Sequence, residues 1–142
     1  MPTYSDSSGP IKWNDGRTRV EAQHYSTQAS GTGISASNLA SNVSSVTFAT
    51  GSTDTAGVCQ INFSSASPGA GVAICRVVFG SPYLSAPLVI VGAASSPTGS
   101  TSFYCDNSDT TTSYFILRNV TALSSFSGSL KVAYHCTGQS GG

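Results

Sequence analysis

From residue 46 onward the chain repeats one pattern: a short apolar run, a break at Gly, Pro, Ser, Thr or Asn, then another run. The runs are "VTFAT", "VCQINF", "VAICRVVF", "APLVIVGA", "SFYCDN", "SYFILRNV" and "LKVAYHC". All are short, and most are rich in the β-branched and aromatic residues that fit a pleated surface. Six or seven such strands with turn punctuation predict an all-β fold, a single antiparallel β-sandwich or barrel-like domain. Alternation assigns the faces. Cys59, Ile61 and Phe63 point one way and Gln60 and Asn62 the other; Cys75, Val77 and Phe79 oppose Ile74, Arg76 and Val78. The run Leu88, Val89, Ile90, Val91 is apolar on both faces, so its strand is either central or covered by another subunit, a hint of oligomerisation.

Residues 1–50 read differently from 51–142. The stretch "IKWNDGRTRVEAQHY" suits a short hairpin, with Asn14, Asp15 and Gly16 tolerating the positive φ of a tight turn. The following "STQASGTGISASNLASNVSS" has the composition of an arm or linker. Leu39, Val43 and Val46 fall at helical spacing there, but the Ser and Asn around them are mediocre helix formers. The expected organisation is therefore an N-terminal arm with hairpin over 1–50 and the β-domain over 51–142. A chain of 142 residues suits one such core rather than two.

Six basic residues balance six acidic ones, which disfavours a nucleic-acid partner, because phosphate binding needs a net basic face. No run approaches membrane-spanning length, so no membrane partner is expected. The opening "MPTYSDSSGPIKW" lacks the basic and apolar regions of an export signal, which leads to the expectation of synthesis and retention in a cytoplasm, with any later release by lysis.

The four cysteines, Cys59, Cys75, Cys105 and Cys136, are too widely spaced for a zinc knuckle, and all alternate inward. Two readings stay open. They are buried small hydrophobes, or they form two disulfides, Cys59 with Cys75 and Cys105 with Cys136. The string "GQSGG" matches G-x-S-x-G but lacks the strand and helix of a nucleophile elbow, and "DTAG" and "CDNSD" read as turn chemistry more readily than as calcium loops. His135 alternates outward and His24 lies in the arm. The sequence thus offers no catalytic, cofactor or metal site, and the chain is not expected to be an enzyme.

The run from Thr50 to Gly138 resembles a β-domain common in tailed-bacteriophage virion proteins. The resemblance lies in the turn "TGSTDTAG" with Ala56-Gly57, the strand Val77 to Phe79, Tyr83 and Ala86-Pro87 ahead of Leu88 to Val91, then Tyr114-Phe115, and the closing Tyr134. It implies a virion structural protein, made in the host cytoplasm and located in the virion. The favoured job is capsid decoration, a cement protein, as a trimer binding the major capsid protein or other virion proteins. Trp13, Arg17, Arg19, His24 and Tyr25 are the expected partner contacts, since aromatic and Arg residues carry most interface energy. Tyr83, Leu88, Val89, Ile90, Val91 and Tyr114 are the expected subunit contacts. The alternatives are a tail-fibre or receptor-binding module that takes a glycan on its tyrosines, and a filament subunit whose arm adds a strand to a neighbour.

Overall fold

A computed structural model of the chain describes residues 34–95 and 102–138. Eight strands follow in order: β1 (Ser35–Asn38), β2 (Val43–Phe48), β3 (Ala56–Ala66), β4 (Ala73–Val78), β5 (Leu88–Ala93), β6 (Phe103–Cys105), β7 (Tyr114–Asn119) and β8 (Phe126–Thr137). A 3-10 turn, Asn107–Asp109, lies between β6 and β7. The strands form two four-stranded antiparallel sheets, β1-β4-β7-β6 and β2-β3-β8-β5, packed face to face. This is the expected sandwich.

The alternation predicts the core correctly in its longest strands. Cys59, Ile61 and Phe63 of β3 and Leu130, Val132, Tyr134 and Cys136 of β8 are buried, while Lys131 and His135 face out. Ile74 breaks the pattern, being as buried as its neighbour Cys75. The cause is a bulge: β4 advances two residues, Ala73 to Cys75, while β7 advances one, Arg118 to Leu117, and the extra residue turns inward. A line of rings crosses the core, from Tyr83 to Phe79 at 4.8 Å, Phe79 to Phe115 at 5.8 Å, Phe115 to Tyr134 at 5.5 Å and Tyr134 to Phe48 at 6.5 Å. These tilted and edge-on contacts join the two sheets at one end of the sandwich.

Three expectations need correction. The stretch read as arm or linker supplies β1 and the start of β2, so the sandwich takes in residues 35–50 as well as the domain expected over 51–142, and no helix forms through Leu39, Val43 and Val46. Both are outer strands of their sheets; β1, with mostly exposed side chains, is held by β4 and not by its own Ser-Ala-Ser-Asn composition, whereas β2 turns Val43 inward. Second, of the two settings expected for the apolar-on-both-faces strand β5, the central one is not found: β5 lies at the edge of its sheet, beside β8 alone. Third, all four cysteines are free thiols, so the proposed pairs 59–75 and 105–136 are not formed. The predicted hairpin near Asn14-Asp15-Gly16 lies outside the described residues.

The sheets meet at two seams, each bridged by an asparagine. At one, the Asn38 amide of β1 donates to the Val43 carbonyl of β2 at 2.8 Å. At the other, the Val89 N–H of β5 donates to the Asn107 side-chain oxygen at 2.9 Å, and the Asn107 amide donates back to the Val89 carbonyl at 3.4 Å. A primary amide carries the donor and acceptor of a peptide group, so Asn107 stands where a neighbouring strand would.

Candidate functional site

The motif "STDTAG" builds the end of the sandwich where the aromatic line lies. Thr53 accepts the N–H groups of Thr55 and Ala56 on its hydroxyl oxygen at 3.3 Å each, closing the turn into β3. Asp54 is completely buried, and its two carboxylate oxygens accept the N–H groups of Gly80 at 2.8 Å and Ser81 at 3.0 Å. The β4–β5 loop is thereby fastened to the β2–β3 loop by charge-assisted bonds. Two buried phenols complete the lock: Tyr83 donates to the Asp54 carbonyl at 3.1 Å and Tyr134 to the Thr53 carbonyl at 2.6 Å. Burial pushes the Tyr83 hydroxyl up to about 12 and the Tyr134 hydroxyl higher still, so both stay protonated donors. Gly57 allows this approach, since a Cβ there would stand 2.5 Å from the Tyr134 hydroxyl and 2.6 Å from the Ser52 Cβ.

The thiols are equally withdrawn from chemistry. Burial raises Cys59 and Cys136 to about 12 and raises Cys75 as well, holding each as a neutral thiol. Cys105 is half-buried, its sulfur 3.4 Å from the Thr110 hydroxyl, and burial raises it too. Asp106 is exposed, and its carboxylate accepts the Ser108 hydroxyl and N–H, which hold its pKa below the usual carboxylate value. Among the described residues no group of three or more His, Cys, Asp and Glu is gathered to hold a metal.

What the fold presents to its surroundings is two sheet faces. On the outer face of β2-β3-β8-β5, Leu88 is 55% and Ile90 63% exposed, opposite Thr137 and His135 of β8. Farther along this face a shallow depression of about 370 Å3 is lined by Thr47, Val58, Gln60, Ala94 and Lys131, among others. On the outer face of β1-β4-β7-β6, Arg76 of β4 lies over the Tyr114 ring of β7, its guanidinium carbon 4.4 Å from the ring centre. Arg118, two positions beyond Ile116, donates from Nε and Nη2 to Asp109 at 3.0 and 2.6 Å and from Nη1 to the Gly71 carbonyl at 3.0 Å.

The predicted subunit contacts are therefore divided by the pleat. Leu88 and Ile90 face outward, Val91 is half-buried, and Val89 and Tyr83 belong to the core. Tyr114 is half-buried under Arg76 on the opposite face of the sandwich. Trp13, Arg17, Arg19, His24 and Tyr25 lie outside the described residues. The sequence reading missed the role of Asp54, whose loop partners stand 26 and 27 positions away. It also missed the Arg76–Tyr114 pair. Alternation already turned Arg76 outward, but only the pairing of β4 with β7 brings the tyrosine to it.

The arrangement is that of a β-sandwich with a sealed, hydrogen-bonded end and two broad faces. Comparison with protein families, curated proteins and solved structures finds no match to this chain.

Proposed function

We propose that this chain is a virion structural protein that works by association, as a capsid decoration protein whose copies pack through the outer face of β5 and seat on a shell of capsid subunits. The observation that carries the reading is the exposed pair Leu88 and Ile90 on an edge strand. Burying the exposed half of two such side chains contributes roughly 2 kcal/mol per copy, before the small Gly92 and Ala133 beside them are counted. The resemblance of "TGSTDTAG" and the strands after it to tailed-phage virion domains supplies the setting. In this reading the protein stabilises the shell by linkage: it binds the assembled state and not the separate subunits, so the assembled state gains free energy.

The test is the mass of the full chain by light scattering over a wide concentration range, for the native sequence and for Leu88→Ser/Ile90→Ser. A discrete trimer that the double substitution converts to monomer is the expected result. A native chain that stays monomeric at every concentration would overturn self-association through this face.

A further inference from the structure

We propose that the outer face of the β2-β3-β8-β5 sheet carries both halves of its own contact: Leu88 and Ile90 of one copy enter the hollow lined by Thr47, Val58, Gln60, Ala94 and Lys131 on the next. The inference rests on the reading that copies associate through this face, and it names what the exposed pair meets there. On β5 the outward positions run Leu88, Ile90 and Gly92, with Ala94 just past the strand, so two large apolar side chains come first and two small residues follow. The hollow, about 370 Å3, opens where the side chains shrink. Ala94 and Lys131 of β8 bound it on one side, Thr47 of β2 on the other, with Val58 and Gln60 of β3 between. Knob and hollow thus belong to one surface.

Gly92 lies between them. A Cβ there would meet no atom of the described residues within 4 Å, and the backbone of Gly92 is not in the positive-φ region. Neither crowding nor conformation within the described chain therefore calls for glycine. A glycine inside a strand weakens it and is a mark of close approach by a ligand or another backbone. Gly92 is exposed on the outward side, so that approach comes from outside the chain.

The hollow selects its occupant. Its lining is mostly apolar and contains one charged side chain, Lys131, which is exposed. An aliphatic side chain suits the apolar part and leaves the ammonium group at the end of its stem in water. The face is also of limited extent: about 19 Å across its four strands, about 38 Å along β3 and β8 and about 20 Å along β2 and β5, or roughly 550 Å2 in all. That is less than the about 800 Å2 per partner of a standard interface, so the contact between free copies is weak. Because a copy that gives its knob still offers its hollow, the same contact repeats from copy to copy and closes into a ring where the rotation allows.

The experiment separates the two halves. The full chain as Leu88→Ser/Ile90→Ser, nitrogen-15-labelled, keeps the hollow and lacks the knob, whereas unlabelled Ala94→Arg keeps the knob and fills the hollow; all three positions are exposed. Titrating the second chain into the first should move the amide signals of Thr47, Val58 and Ala94 saturably, while those of Arg76 and Arg118 on the other sheet stay in place. Binding should weaken at least about tenfold when the added chain is Leu88→Ser/Ile90→Ser/Ala94→Arg. No movement, or movement that the triple variant reproduces in full, overturns the proposal. Thr47→Arg blocks the hollow from β2 and should be monomeric by light scattering at concentrations where the native chain is associated; a native mass for it also overturns the proposal. A native chain that is monomeric throughout overturns both readings, whereas an associating native chain whose hollow stays silent overturns this one alone.

Discussion

Replacing Asp54 should loosen one whole end of the sandwich, and the size of the effect follows from its partners. Each carboxylate oxygen accepts one backbone N–H from the β4–β5 loop, and the residue itself has no exposure to solvent. Hydrogen bonds to a charged group contribute about 1.5–3 kcal/mol each. Gly80 is exposed and its N–H can recruit water when the carboxylate is gone, whereas Ser81 is half-buried, so the sum falls toward the low end. Asp54→Ala should cost about 2–4 kcal/mol, a large share of the 5–15 kcal/mol that such domains possess. Asp54→Asn keeps one acceptor but turns an amide N–H toward a backbone N–H, and should cost about 2 kcal/mol. Equilibrium urea unfolding followed by far-ultraviolet circular dichroism reads both. The expected order is native, then Asn, then Ala, with unchanged denaturant slope. Asp106→Ala is the control: that carboxylate caps an exposed turn and its loss should matter far less. If Asp54→Asn matched the native chain within about 0.5 kcal/mol, which is the range of an ordinary surface change, the buried-anchor argument would fail.

Two further outcomes follow from the same region. Gly57→Ala forces a methyl group onto the Tyr134 hydroxyl and the Ser52 Cβ, so it should cost about 2–4 kcal/mol through overpacking and a lost hydrogen bond, and pairing it with Tyr134→Phe should recover part of the loss in thermal unfolding. The buried thiols make the fold sensitive to alkali: Cys59 and Cys136 hold their protons up to about 12 in the native chain, whereas unfolded thiols release theirs near 9. The folded state then binds more protons, so stability is intact below about pH 9 and falls between about 9 and 12, by roughly 1.4 kcal/mol per pH unit for each thiol. A flat unfolding free energy from pH 8 to 10.5 would contradict the burial of these groups.

Much of the sandwich could be read from the pattern of residues because its longest strands alternate through the core. "VCQINF" and "LKVAYHC" state their buried faces in single letters, and both faces are as read. β1 escaped notice because a strand at the edge of a sheet is recruited by its neighbour's backbone, which leaves little trace in side-chain composition, while β2 was legible only from Val46 onward, in "VTFAT". For β5, apolar residues on both faces leave a central strand and an edge strand with an outward apolar face undistinguished; here one set fills the core and the other meets solvent. Ile74 needed a bulge that alternation does not encode. For the surface features the obstacle is distance along the chain. Asp54 with Gly80, and Arg76 with Tyr114, are neighbours only after the strands have paired.

The asparagine bridges at the two seams bear on the shapes that many copies can build. A strand whose outward peptide groups are open invites another strand beside it, and another beside that, so growth has no natural stopping point. Here Val89 meets Asn107 at one lateral margin and Val43 meets Asn38 at the other, each within its own chain. A contact through a broad face differs in kind from strand addition, and copies joined that way form a closed set only where the rotation between them closes. The side chains of two asparagines thus occupy, at these two positions, the backbone groups that an added strand would need.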